Sequence, residues 1–170
     1  MPSSTTIIWF RNDLRLEDNL ALDAALSTNK PVLPVFIWDQ KGYDIKSTGP
    51  HYWWWLKESL SKLSDSLNQY GSRLIIRQGS PLTELFSIAN EHNVRHIFFN
   101  RRYEPSEIQV QRDGTDRFDQ IGVDVKSFNS TLLFEPHEIG KPSGEPYERF
   151  SSFWNQAVGE INKTSHLSAK

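Results

Sequence analysis

The sequence predicts an α/β fold: a doubly wound, five-stranded parallel sheet with helices on both faces. Five short apolar runs alternate along the chain with longer segments of helical periodicity. The first, second and fourth runs are almost continuously apolar, as strands buried on both faces of a sheet are. Strands separated by helices of this length form right-handed βαβ units, and a doubly wound sheet accommodates all of them.

The five predicted strands all lie before residue 130. We expect the three strongly apolar ones to be buried and to pair in parallel. The strands cover Thr5 to Phe10, Val32 to Trp38, Arg73 to Arg77, Arg95 to Phe99 and Val123 to Phe128.

The first two helices carry the clearest apolar faces. A short first helix follows the acidic pair Glu17 and Asp18, and its apolar residues are Leu20, Ala21, Ala24 and Ala25. The second helix has the strongest signal, because five apolar residues step by three or four positions along one face: Trp53, Leu56, Leu60, Leu63 and Leu67. Gly71 supplies the signal for its end.

Three further helices complete the pattern. Ser80 and Pro81 start the third, and Pro105 starts a mostly polar fourth that ends at about Asp119. Turn signals dominate beyond the fifth strand, and a last helix is predicted over Arg149 to Val158. The whole arrangement is Rossmann-like.

Composition excludes several classes of function. With 19 Lys and Arg against 21 Asp and Glu, the net charge is -2, so a broad electrostatic footprint for DNA is absent. The chain has no cysteine, which excludes disulfides, thiol catalysis and cysteine-ligated metals. No apolar run approaches a membrane span of roughly 20 residues and no secretion signal is present, so we expect a cytoplasmic protein without a membrane partner.

Motifs for self-contained catalysis are also missing. The sequence has no GxGxxG after the first strand, no GxxxxGK[ST], no GxSxG and no HExxH. The 5 histidines show no metal-ligand spacing and no Ser-His-Asp triad is identifiable. We therefore predict no catalytic residue and no metal site in this chain.

Ligands of an open parallel sheet bind beyond the carboxyl ends of its strands. Arg11 follows the first predicted strand, Asp39 the second, and Arg101 and Glu104 the fourth. Charged and polar groups are therefore expected to converge at this edge of the sheet.

Three consecutive indoles open the second helix. Successive helical residues point about 100° apart, so Trp53, Trp54 and Trp55 cannot all face one core. Trp53 lies on the leucine stripe, whereas the other two share their faces with polar residues. Trp54 and Trp55 are expected either to cover a bound molecule, to pack against another domain, or simply to line the rim of the core.

The stretch from Ile7 to Leu22, IIWFRNDLRLEDNLAL, joins an apolar strand ending in Trp-Phe-Arg to Asp-Leu-Arg-Leu and Asp-Asn. It resembles the opening signature of the DNA photolyase and cryptochrome family. The resemblance covers residues 5 to 158 and continues through Val35 to Asp39, Gly71 to Leu74, Gln78-Gly79, Phe99 to Pro105, Leu132 to Pro136, and Pro146-Tyr147 to Phe153-Trp154.

The resemblance implies the N-terminal α/β antenna domain of a class I deoxyribodipyrimidine photo-lyase, a carbon-carbon lyase that uses light to repair cyclobutane pyrimidine dimers in DNA. It implies that residues 1–158 form the antenna domain and that residues 159–170 are a linker or tail. It also implies that a helical C-terminal domain, the partner of this one, binds FAD and contacts DNA. The chain alone is then expected to be inactive.

The resemblance further implies an antenna chromophore, either methenyltetrahydrofolate or a deazaflavin. Glu107 matches the acidic position that hydrogen-bonds a folate pterin, although Ser106 stands where folate-binding members often have Asn. Arg11, Trp38, Asp39 and Glu104 match positions that line the deazaflavin-type pocket. Salt bridges in loops or between domains are the alternative role for all of these residues.

Arg101 and Arg102 stand beside Glu104 and Glu107 and offer another possibility. A guanidinium pairs with a carboxylate in bidentate geometry, so these arginines are candidates for holding an acidic ligand tail.

Two other functions stay open for the whole chain. One is a cryptochrome-like photosensor domain, and the other is a stand-alone nucleotide-binding-like module without catalysis.

Overall fold

The structure, a computed structural model, describes residues 4–39, 49–141 and 143–163, with side chains up to residue 161. It divides into two compact units, Met1–Ser130 and Thr131–Lys170. The first unit contains, in chain order, β1 (Thr5–Phe10), α1 (Leu20–Ser27), β2 (Val32–Trp38), α2 (Pro50–Gln69), β3 (Ile75–Gln78), α3 (Pro81–Glu91), β4 (Val94–Asn100), α4 (Pro105–Asp119) and β5 (Asp124–Phe128). The second contains α5 (Phe150–Lys163).

The five strands form one parallel sheet in the order β3-β2-β1-β4-β5. This confirms the predicted doubly wound α/β fold. The chain moves outward from β1 to β3 and then returns to the other side of β1, so the order reverses between β1 and β4. At this switch point a crevice forms between the carboxyl ends of β1 and β4. Folds of this type bind their ligands in such a crevice.

Side chains of the central strands alternate between two cores, which explains why their sequences are apolar at nearly every position. One face of the sheet buries Ile7, Trp9 and Phe99 against α3 and α4. The other face buries Ile8, Phe10, Phe36 and Phe98 against α1 and α2. Full burial of one such side chain contributes about 1.5 to 3 kcal/mol.

Helix α2 ends at the glycine that the sequence predicts as its stop and buries leucines of its predicted apolar face. Pro50 occupies its first turn, and Leu56, Leu63 and Leu67 are buried. Gly71 ends it with a φ of 69°. Its N–H donates to Asn68 O at 3.0 Å and the N–H of Ser72 donates to Leu67 O at 3.0 Å, the paired bonds of a Schellman motif.

Two elements, β3 and α5, differ from the sequence prediction by two or more residues at one end, whereas the ends of β4 and β5 differ by at most one residue. Strand β3 begins at Ile75 rather than Arg73, because its pairing with β2 begins where Val35 faces Ile75. Helix α5 continues to Lys163, beyond the domain boundary expected at residue 158. Residues 164–170, the rest of the expected linker, lie outside the described residues.

Candidate functional site

A buried polar cluster occupies the switch point between β1 and β4. Asn100, the last residue of β4, donates through Nδ2 to Asp13 Oδ2 at 2.5 Å and to Asn19 Oδ1 at 2.8 Å. Its own Oδ1 accepts from the N–H of Ala21 at 3.2 Å. Asp13 Oδ1 also accepts from the N–H of Arg11 at 2.8 Å. The cluster fixes the loop after β1 against the end of β4.

Asn19 connects this cluster to α1. It is the N-cap of the helix, and its Oδ1 accepts from the N–H of Leu22 at 3.1 Å. Asn19 is fully buried and Asn100 is 3% exposed, so each amide needs the partners it has. The same interactions therefore start α1 and close the crevice beside it.

Arg11 is a buried cation at the same edge of the sheet. Its side chain is 5% exposed, and its Nη1 lies 3.2 Å from Glu107 Oε2 at the start of α4. Its Nη2 donates to Asn100 O, and its guanidinium lies 4.8 Å from the ring centroid of Trp9 and 4.9 Å from that of Phe99. Burial lowers the pKa of Arg11 to about 10, against the opposing effect of Glu107 and Asp13.

Arg102 extends the ion pairs toward the surface. Its Nη2 lies 2.5 Å from Glu104 Oε1, and its Nη1 lies 3.6 Å from Glu107 Oε1. The hydrogen bond from Arg102 is the main reason that the pKa of Glu104 falls to about 2. Both oxygens of Glu107 therefore face a guanidinium, one from Arg11 and one from Arg102.

The cleft beside these ion pairs is small. Arg11, Asp39, Arg102, Ser106 and Glu107 line it, and its volume is about 60 Å³. Small-molecule sites typically measure about 300 to 1,000 Å³. A pterin or deazaflavin ring system does not fit this cleft, and the carboxylate expected to bind a pterin is already engaged. The geometry of Arg11, Arg102, Glu104 and Glu107 is that of an ionic cluster that holds α4 to β1.

Three of the predicted site residues do not line that cleft: Trp38, Arg101 and Glu104. Arg101 points to β5, where its Nη2 donates to Ser127 O and Oγ, both at 3.0 Å. Trp38 instead lines a different and larger cavity. The six residues predicted as cofactor-binding therefore do not form one pocket.

The larger cavity is a groove of about 700 Å³ between α2 and the sheet, named here the α2–β3 groove. Phe36, Trp38 and Ile76 line it from the sheet, and Trp53, Leu60 and Ser64 line it from α2. The rings of Trp38 and Trp53 lie 6.0 Å apart at an angle of 51°. Within the described part of the chain, the buried Nε1 of Trp38 has no hydrogen-bond partner.

Trp54 and Trp55 are 65% and 53% exposed, as their helical phase predicts. Neither lines the groove.

In residues 4–39, 49–141 and 143–163, no group of His, Asp and Glu could hold a metal ion. None of the described helices combines the length and the apolar character that crossing a bilayer requires.

Sequence reasoning missed the roles of Asn19 and Asn100. Asn19 carried a local signal, since Asn immediately before an apolar helical pattern is a typical N-cap. Asn100 was recognisable as the residue at a strand end, but its partners are 81 and 87 positions away. The residues of α2 that face the groove, Ser61 and Ser64 among them, gave no signal of a cavity.

A five-stranded parallel sheet with a polar crevice at its switch point defines an α/β domain of the ligand-binding type. The family model described as DNA photolyase matches residues 6–168. The chain belongs to this family.

Individual relatives agree with this assignment. A deoxyribodipyrimidine photo-lyase of Agrobacterium fabrum is 36% identical, over 94% of this chain and 33% of its own length. Cryptochrome-1 of Arabidopsis thaliana is 35% identical, over 90% of this chain and 22% of its own length. The chain thus spans about a third or less of these relatives.

Two crystal structures match in fold. That of a class III photolyase from Agrobacterium tumefaciens has a TM-score of 0.83 at 36% identity, covering 94% of this chain and 32% of its own. That of a photolyase from Sulfolobus tokodaii, described with two FAD molecules and a novel light-harvesting cofactor, has a TM-score of 0.77 at 28% identity, covering 98% and 36%.

Proposed function

We propose that this chain forms the light-harvesting part of a photolyase that repairs cyclobutane pyrimidine dimers in DNA. The match of almost the whole chain to a third of a deoxyribodipyrimidine photo-lyase carries the proposal. Light-driven repair would then need FAD and a DNA-binding surface supplied by a further helical domain. The likeness to a structure described with a light-harvesting cofactor supports the antenna role.

The antenna pigment, methenyltetrahydrofolate or a deazaflavin, would absorb near-UV or blue light and pass excitation to the FAD of the helical domain. The residues of this chain would hold the pigment still and exclude water from it. Trp38 and Asp39 stand at the end of β2, where such a molecule can be oriented. The Arg11–Glu107 pair fixes α4 at the neighbouring strand end, and Arg101 fixes β5 there.

The proposed lesion, a pyrimidine dimer, is taken from the name of the deoxyribodipyrimidine photo-lyase relative. The resemblance implies class I, whereas the matching crystal structure from Agrobacterium tumefaciens is of a class III photolyase. We therefore propose dimer repair without assigning the subtype.

A cryptochrome-like photosensor is the second candidate. Its support is the 35% identity to cryptochrome-1 over 90% of the chain, nearly the value for the photo-lyase. Both functions use the same α/β domain to hold a pigment. A repair assay on the full protein that contains this chain separates them, because a photosensor leaves pyrimidine dimers intact under blue light.

An absorption spectrum of the purified chain tests the antenna role directly. Each candidate pigment is added in turn, excess is removed, and the bound fraction is measured. We expect one pigment per chain, with absorption in the near UV or violet, and no stoichiometric FAD. A chain that retains neither pigment contradicts the antenna role, and a chain that retains stoichiometric FAD contradicts the proposed division between domains.

A further inference from the structure

The first two turns of α5 present an apolar surface to solvent. Phe150, Phe153 and Trp154 are 73%, 39% and 50% exposed. The ring of Phe150 lies 5.9 Å from that of Trp154 at an angle of 18°, and 6.3 Å from that of Phe153. These three side chains are named here the α5 aromatic face. Single exposed apolar side chains are normal, whereas a contiguous group of this kind marks an interaction surface.

The α5 aromatic face continues a stripe that the chain itself covers. Its three residues are followed at helical spacing by Ala157, Val158 and Ile161. Ala157 is buried, and Val158 and Ile161 are half-buried. One apolar face therefore runs along α5, and the described residues cover its C-terminal half but not its N-terminal half.

We propose that the α5 aromatic face is the surface on which the helical domain of the full protein docks. The proposal rests on the proposed function, which assigns FAD and DNA binding to that domain. It names the part of this chain through which the two domains meet.

The area of the face is too small for a free partner, a second copy of this chain included. A fully buried aromatic side chain buries about 150 to 250 Å², so the exposed fractions leave roughly 300 Å² of the face open. Two such faces packed together would bury roughly 600 Å², about half of the smallest standard interface of about 1,200 Å². The face alone therefore holds a free partner only weakly.

A domain tethered to the same chain needs less area. A short flexible linker gives a tethered partner an effective concentration in the millimolar range. The part that this chain matches is 33% of the photo-lyase of Agrobacterium fabrum, so most of that relative has no counterpart here.

The position of α5 also favours a tethered partner. The family match extends to residue 168, just beyond the end of α5 at Lys163. In the proposed arrangement the helical domain follows this match, and its chain leaves from beside α5. The 14 residues of α5 span about 21 Å, so the aromatic face lies within this distance of the end of the helix.

The chemistry of the face specifies an apolar protein surface. From Phe150 to Gln156 the helix has no charged side chain, and Ser, Asn and Gln are the only polar residues beside the aromatic rings. Single-stranded nucleic acid also stacks on aromatic rings, but it needs a basic groove beside them. Because this stretch of α5 contains no Lys or Arg, the expected partner is the apolar side of one or more helices.

Photo-crosslinking in the full protein that contains this chain identifies what covers the face. Phe150→p-benzoylphenylalanine keeps an aromatic ring at the most exposed position of the face and joins to its neighbour under near-UV light. Tyr70→p-benzoylphenylalanine is the matched control, because Tyr70 is 80% exposed at the end of α2. Mass spectrometry of tryptic peptides locates the joined residue. We expect position 150 to join to a peptide of the helical domain in the same molecule, and position 70 to join to none.

A comparison of melting temperatures gives an independent measurement. In the chain alone the ring of Phe150 is mostly in solvent, so we expect Phe150→Ser to lower the melting temperature by less than about 2 °C. In the full protein the loss of a docked aromatic ring should lower it by about 4 °C or more. Tyr70→Ser, the matched control, should change both melting temperatures by less than about 2 °C.

The results that overturn the docking surface differ from those that overturn the antenna function. Absence of a joined product at position 150, joining between two copies, or an equal effect of Phe150→Ser in the chain and the full protein overturns the docking surface. Pigment retention by the wild-type chain, measured separately, leaves the antenna function standing in each of these cases. A crosslink to the helical domain in a protein that retains no pigment overturns the antenna function and supports the docking surface.

Discussion

At the scale of single residues, the buried guanidinium of Arg11 needs a compensating negative charge beside it. Only 5% of its side chain is exposed, and Glu107 is its carboxylate partner. Removing one partner of a buried pair costs more than the pair contributes, because the other charge stays buried without compensation. Breaking the ion pair is therefore expected to destabilise the fold whether or not a ligand binds nearby.

We expect Glu107→Gln to lower the free energy of unfolding by about 1 to 3 kcal/mol. Glu104→Gln is the matched control, because Glu104 pairs with Arg102 but is 54% exposed. An exposed pair contributes about 0 to 1 kcal/mol. Urea unfolding of the two variants measures the difference, and equal destabilisation would show that burial of Arg11 is not what makes Glu107 important.

Glu104 gives a prediction about pH. Its pKa is lowered from 4.5 to about 2 in the folded chain, mainly by the hydrogen bond from Arg102. A carboxyl with a lowered folded pKa stabilises the fold above its unfolded pKa, and this contribution is lost as the pH falls from 4.5 towards 2. The effect is small because the side chain is largely exposed. Wild type and Glu104→Gln should therefore differ in stability at neutral pH and converge in acid, as measured by urea unfolding across this range. A constant difference would contradict the assignment.

At the scale of elements, local sequence patterns were sufficient for the helices and strands but not for the cavities. The leucine stripe of α2 depends only on spacing, and the structure buries Leu56, Leu63 and Leu67 as predicted. The α2–β3 groove depends instead on how far α2 stands from Ile76 of β3, which the spacing does not specify. In the same way, Arg11 and Glu107 are 96 positions apart, and only the sheet order brings them together.

The three indoles of α2 test the helical phase. We expect Trp53→Ala to destabilise the chain by about 2 kcal/mol or more, because Trp53 packs on Trp38 and Tyr52 and its removal leaves a cavity. Trp54→Ala and Trp55→Ala should cost less, since both side chains are more than half exposed. Thermal unfolding followed by circular dichroism gives the comparison. Equal melting temperatures for the three variants would contradict the assigned packing.

At the scale of the whole molecule, charge decides what the chain can do with DNA. The net charge is -2, and several basic side chains are already paired: Arg11 with Glu107, Arg77 with Glu91, Arg102 with Glu104, and Lys126 with Asp124. Non-specific DNA binding arises almost entirely from basic residues that displace counterions from phosphates, and gives Kd values of about 10⁻⁴ to 10⁻⁶ M. The 19 basic residues of this chain do not exceed its 21 acidic ones, so the chain offers the phosphates no net positive charge.

We therefore expect the chain alone to bind a dimer-containing oligonucleotide more weakly than about 10⁻⁴ M at physiological salt and to leave the dimer intact under blue light. Fluorescence anisotropy measures the binding, and the same oligonucleotide without the dimer is the control for lesion recognition. If the chain bound the damaged strand selectively at micromolar concentrations, the DNA-binding surface would lie in this domain. The proposed dependence on a further helical domain would then be wrong, while the proposed antenna role, which does not depend on DNA contact, would be unaffected.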